Sequence, residues 1–206
     1  VGCGDGFHLR LLRDFGNKNW TLEGLDASEK AVEAAGKAGI KVHLGTAENN
    51  DLLENNYDLA FLIQTIEHVE KPNEVLPAIC RVLKPNGKLI IVTDNTDSFD
   101  FRLFKNGYWG GYHFPRHWNL FNRRALTQLA EKSGFEVAEM TTIVSPVNWV
   151  YSVHNALVDA NAPKFLINQF TLKSTVSLGI FTILDIILQK IGRGALLRAT
   201  LRKKDV

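Results

Sequence analysis

From Phe7 to Phe15 apolar residues recur at helical spacing, and the run Trp20–Leu25 then reads as a strand closed by the polar Asp26. Ser28 stands where a helix N-cap is needed, with Glu29 and Lys30 behind it and Gly36 and Gly39 near the helix end; Ile40–Leu44 is a short strand. Tyr57–Ile63 is almost wholly apolar, as a parallel strand covered on both faces should be. Pro72 opens a helix that runs to about Leu83, Lys84-Pro85-Asn86-Gly87 makes a turn, and Lys88–Thr93 is the next strand. This alternation predicts an α/β fold: a doubly wound, mostly parallel, Rossmann-like sheet with its ligand crevice at the C-terminal ends of the strands.

The pattern changes after Asp94. Residues 97–120 have little periodicity but carry Phe99, Phe101, Phe104, Tyr108, Trp109, Tyr112, Phe114 and Trp118, an aromatic density that argues against disorder and for a loop over a substrate. Asn122 caps a helix over Arg123–Lys132, Gly134 ends it, and Phe135–Ile143 is a strand. Between this strand and a last one at Leu196–Arg202 lies an insertion, 145–194. Within it Val176, Ile180, Ile183, Leu184, Ile187, Leu188 and Ile191 share one helical face. The run is shorter than the ~20 apolar residues of a membrane span and is broken by Asp185. The readings left open are a helix packed on the core or on a second subunit, a lid, and an interfacial helix in peripheral contact with lipid.

Chemistry enters at the first residues. Gly2, Gly4 and Gly6 alternate in Val1-Gly2-Cys3-Gly4-Asp5-Gly6, which lets the backbone turn tightly and approach a ligand ahead of the helix that starts near Phe7. A GxGxxG dinucleotide fingerprint would need glycine where Phe7 stands. Asp26 follows Gly4 by 22 positions, the spacing at which a carboxylate at the second strand's tip meets a ribose. A strand should precede the glycine loop; the expectation is that this strand lies outside the sequence.

Taken in order, Val1–Gly6, Gly24-Leu25-Asp26, Tyr57–Ile63, Glu67-His68-Val69 and Leu83–Gly87 resemble the successive motifs of class I S-adenosylmethionine-dependent methyltransferases. The resemblance covers roughly the first 95 residues strongly and continues loosely to Phe135. It implies a seven-stranded-type sheet lacking its first strand and ending in an antiparallel hairpin that holds the insertion. It also implies S-adenosylmethionine as cofactor, with Gly2, Cys3, Gly4, Asp5, Gly6, Ile63 and Gln64 around the methionine end, Asp26 on the ribose, and Thr46, Ala47 and Glu48 near the adenine. Methyl transfer to oxygen is helped by a base that titrates near neutrality, and His68, His113 and His117 are the candidates. The stretch Gln64–His68 also resembles quinone-pathway O-methyltransferases, in which three such positions hold a divalent metal. Gln64 replaces a charged ligand, so no metal is expected.

Composition narrows the acceptor. A chain of 206 residues with 45% apolar content supports a single domain over 1–206. A net charge of +2 gives no case for nucleic acid, and Ile63-Gln64-Thr65-Ile66 differs from the motif of nucleobase amino-methyltransferases. Cys3 and Cys80 form no disulfide or metal pattern, which suits a reducing, cytoplasmic setting. The aromatic loop and the apolar insertion suggest a small or lipid-like acceptor. Two alternatives stay open: a nicotinamide oxidoreductase, and a non-catalytic cofactor-binding module at a membrane. The oligomeric state is not legible.

Overall fold

The computed structural model describes residues 1–113 and 115–204; Phe114 of the aromatic segment lies outside them. Helix α1 (Phe7–Phe15) leads to β1 (Glu23–Asp26), α2 (Glu29–Lys37) and β2 (Lys41–Leu44). Strand β3 (Tyr57–Ile63), α3 (Pro72–Val82) and β4 (Leu83–Asp94) follow. The fold is α/β, and its sheet is in two pieces: β1 pairs with β2 in parallel, and a four-stranded sheet runs in the order β3-β4-β6-β5, where β5 is Phe135–Ile143 and β6 is Leu196–Lys203. Strands β3 and β4 are parallel, while β6 runs antiparallel to both β4 and β5 and makes the expected closing hairpin.

The edges of β1 and β3 face each other across a slot. Val1 and Gly2 bridge it: Val1 N donates to Phe61 O at 2.9 Å, and the Gly2 amide donates to Leu25 O at 2.8 Å. Beyond them lies an apolar cavity of about 310 Å³, lined in part by Leu9, Leu12, Leu22, Phe61 and Ile79. Helix α1 consequently buries no residue fully, although its apolar spacing is that of a core helix.

The main core lies on the larger sheet, where Leu62, Leu89, Ile91 and Leu197 meet Leu76 and Ile79 of α3, and Leu126 and Ala130 of α5 (Arg123–Lys132). The segment expected as a turn, Lys84–Gly87, is instead a bulged entry to β4. Tyr57 pairs with Leu83 but Leu59 with Lys88, and Asn86 takes φ 60°. Pro85 lacks an amide for the ladder, so the extra residues loop out while both strands keep their apolar register.

Residues 97–120 are more regular than their lack of periodicity suggests. Ser98 caps a short helix α4 (Phe99–Phe104) by accepting from the Phe101 amide, and a 3-10 turn forms over Gly110–Tyr112. Trp109 is buried, donates to Asp100 Oδ2 at 2.7 Å and packs edge-on against Phe101 with ring centroids 4.9 Å apart. Much of the aromatic content is therefore a local core. The insertion folds as α6 (Pro146–Asp159), α7 (Lys164–Ile167) and α8 (Thr175–Lys190). Among the described residues, no helix is long and apolar enough to cross a membrane.

Candidate functional site

The glycine loop has the backbone its sequence requires. Gly2, Gly4 and Gly6 take φ values of 64°, 56° and 78°, a region that side chains disfavour by roughly 1–2 kcal/mol per residue. A Cβ on Gly2 would meet Thr65 Cγ2 at 2.4 Å, and one on Gly6 would press on Ala35 at 3.3 Å. A Cβ on Gly4 would meet nothing within 4 Å, so this glycine faces open space. Asp26, at the tip of β1, accepts from the Gly4 amide at 2.8 Å through Oδ2 and from the Ser28 amide at 2.9 Å through Oδ1. Each carboxylate oxygen keeps a second lone pair for a hydroxyl.

The other predicted cofactor residues border the same region. Ile63 ends β3, and Gln64 follows at φ 48° with its amide donating to Val92 O, an uncommon backbone state for glutamine. The contact between Gly2 and Thr65 sets Ile63–Thr65 against the loop. Past β2, Ala47 is buried in the core and Glu48 is exposed, with Asn50 Nδ2 donating to Ala47 O at 2.6 Å. A glycine face open to ligand, a carboxylate beside it and two strand tips converging on it fit a nucleoside cofactor.

All three predicted histidines come together. His68, from the 3-10 turn Ile66–His68, has its ring centroid 4.7 Å from that of His117, and the His113 centroid lies 5.2 Å from that of His117. His113 is exposed, with φ 35°. His68 Nδ1 donates to Arg116 O at 3.1 Å, and His117 Nδ1 donates to Gly111 O at 2.7 Å; a carbonyl can only accept, so each Nδ1 carries a proton and Nε2 is the nitrogen left for another partner.

Two carboxylates pack against the histidines: Glu67, from the Glu67-His68-Val69 motif, and Asp94, which no motif marks. Asp94, the last residue of β4, accepts from Asn148 Nδ2 at 2.6 Å and sits 3.3 Å from His117 Nδ1. Burial first, and then the neighbouring Glu67, push its carboxyl up to about 6, against the pull of Asn148 and His117. Burial pulls His117 down from its ordinary value, against the Gly111 carbonyl and the Asp94 carboxylate, and so favours the neutral imidazole. Glu67 is buried and accepts from Thr93 Oγ1 at 2.8 Å through Oε2, while its Oε1 has no partner among the described residues; burial raises its carboxyl as well. A Glu67 oxygen and one ring nitrogen each of His68 and His117 lie within 4.8 Å of one another. A zinc-sized ion would hold such donors about 3.4 Å apart. Asp94 was legible by one signal, a polar residue closing an apolar strand at the crevice end. Asn148 had none, because the insertion that carries it shows no motif.

A family model for a methyltransferase domain matches residues 1–140. A ubiquinone biosynthesis O-methyltransferase of Thiobacillus denitrificans is 26% identical over 168 residues, covering 73% of this chain and 69% of that protein. The chain spans about half the length of several other curated relatives that it matches. Among solved structures, a methyltransferase of Thermotoga maritima described as a possible histamine N-methyltransferase superposes with a TM-score of 0.65 at 24% identity, over 99% of this chain and 80% of that one. A Haemonchus contortus N-methyltransferase in complex with S-adenosylhomocysteine gives 0.61 at 20% identity, over 99% of this chain and 48% of the other. These likenesses do not favour the nicotinamide alternative, and the chain belongs to the methyltransferase-domain family, of the class I kind that uses S-adenosylmethionine.

Proposed function

We propose that the protein methylates an oxygen of a small or lipid-like acceptor, with His117 as the base. The observation that carries this reading is the fixed tautomer of His117: Nδ1 is held between Gly111 O and Asp94, which leaves Nε2 to take a proton. S-adenosylmethionine, when bound, supplies a methyl group on a sulfonium, an activated leaving group that requires no covalent enzyme nucleophile. The chain's own part is positioning and proton removal. Asp26 and the glycine loop bind the nucleoside end. Nε2 of His117 accepts the acceptor's hydroxyl proton, and Asp94 stabilises the resulting imidazolium. The unpartnered Glu67 Oε1 offers a seat for a second donor on the acceptor, while Trp118 and the exposed His113 lie along the aromatic segment that would cover it.

Calorimetry with S-adenosylhomocysteine, with NADH as comparator, tests the cofactor half of this proposal. Micromolar binding lost in Asp26→Ala supports it; binding of NADH alone overturns it. For the acceptor half, His117→Ala should lower turnover of phenolic acceptors by roughly 10²- to 10⁴-fold with cofactor affinity unchanged. Loss of affinity without a turnover defect would remove His117 as the base.

A further inference from the structure

Helix α8 is apolar on two faces, of which only one is covered. Its inner face is anchored: Trp149 stacks on Phe181 with centroids 5.5 Å apart, Leu188 is buried, and the buried Asp185 accepts from the Ser145 and Ala195 amides and from Trp149 Nε1. The outer face carries Val176, Ile180, Ile183, Ile187 and Ile191, each more than half exposed. At 100° per residue these five side chains fall within an arc of about 80° along the full length of the helix. A globular domain rarely leaves such a stripe to water without a partner.

Charge identifies the partner. Between Ala160 and Arg193 the sequence has four cations, Lys164, Lys173, Lys190 and Arg193, and one acid, Asp185. All four cations are exposed, and the one acid is buried and bonded inward. Among the described residues, segment 160–193 therefore combines an exposed apolar stripe with exposed charge that is all positive. A second copy docked about a two-fold axis would bring these like charges together. An anionic lipid surface answers both features at once: its headgroups meet the cations while the isoleucines enter the acyl boundary. At 16 residues α8 is about 24 Å long, too short to cross the ~30 Å hydrocarbon core but suited to lying along it.

We propose that the outer face of α8, together with the exposed lysines of segment 160–193, docks the protein on an anionic bilayer, with the helix in the plane of the membrane. The same insertion reaches the site: α6 supplies Asn148 to Asp94, and Ser152 Oγ accepts from the Gly110 amide of the 3-10 turn beside His117. Docking would hold the aromatic segment near the lipid boundary. The docking stands apart from the choice of acceptor atom, so its failure leaves the methyl-transfer reading intact.

Co-sedimentation of the full chain with extruded vesicles tests the proposal. The chain should partition onto phosphatidylcholine–phosphatidylglycerol vesicles in a salt-sensitive way, and far less onto phosphatidylcholine alone. Ile183→Asp with Ile187→Asp, both at exposed positions, should weaken partition by on the order of tenfold or more. Lys164→Glu with Lys173→Glu and Lys190→Glu should abolish the preference for phosphatidylglycerol, each variant keeping the parent's circular dichroism and melt. No partition onto either vesicle, or partition unchanged by both sets of substitutions, overturns the proposal. So does a dimer in sedimentation equilibrium that the isoleucine substitutions dissolve in the absence of vesicle binding.

Discussion

Asp94 and His117 both lean toward their neutral forms, and the pH dependence follows from the directions. His117 lies below its ordinary 6.5, so the acid limb of kcat/KM is expected below pH 6.5; the adjacent carboxylate favours the imidazolium, so Asp94→Asn should move that limb lower still while slowing turnover. Stability runs the other way. A carboxyl raised from 3.8 to about 6 in the folded state contributes stability that is fully present below pH 3.8 and is lost as pH rises through 6. Asp94→Asn should therefore stabilise the fold by about 1–3 kcal/mol at pH 7, a difference that vanishes near pH 4, as denaturant melts at several pH values would show. Gly2→Ala combines a disfavoured φ with a collision against Thr65 and should abolish binding of S-adenosylhomocysteine, read by calorimetry. Dialysis against a chelator should leave turnover unchanged if Glu67, His68 and His117 work without a metal, and full restoration by one divalent ion would reassign them as ligands.

Among the elements, those with a strong period were legible: α2, β3, α3, α5 and β5 lie close to where periodicity and caps put them, because local propensity and tertiary burial agree there. Two departures have physical causes. The proline and glycine of Lys84–Gly87 signal a turn, but the register of β4 against β3 absorbs them as a bulge. Helix α4 is too short for a period to emerge and depends on the Ser98 cap and the Trp109–Asp100 bond, which no pattern reveals. The site divided in the same manner. Asp26, Gln64 and His68 stand in motifs and could be picked out as candidates, whereas Asp94 gains its partner from α6, more than fifty residues away. Asp185 joins this level to the next: Asp185→Ala would strand the Ser145 and Ala195 amides and the Trp149 indole, at about 1–3 kcal/mol for each buried donor left unpaired. The expected result is a lowered melting temperature together with a changed Trp149 fluorescence.

At the scale of the molecule, the two half-sheets differ in how they are held. The larger one has four strands on a continuous core, while β1 and β2 form a two-stranded ribbon packed on α2. Amides of β1 and β2 should exchange with deuterium through openings of lower free energy than those of β4 and β6, and S-adenosylhomocysteine should slow that exchange preferentially if it rests on Asp26 at the tip of β1 as proposed. Gly2 and Cys3 both donate to Leu25 O, and Asp26 takes the Gly4 amide with one oxygen and the Ser28 amide with the other, so the glycine loop and the start of helix α2 hang from two neighbouring residues at the end of β1, and whatever disturbs that strand tip is felt by both at once.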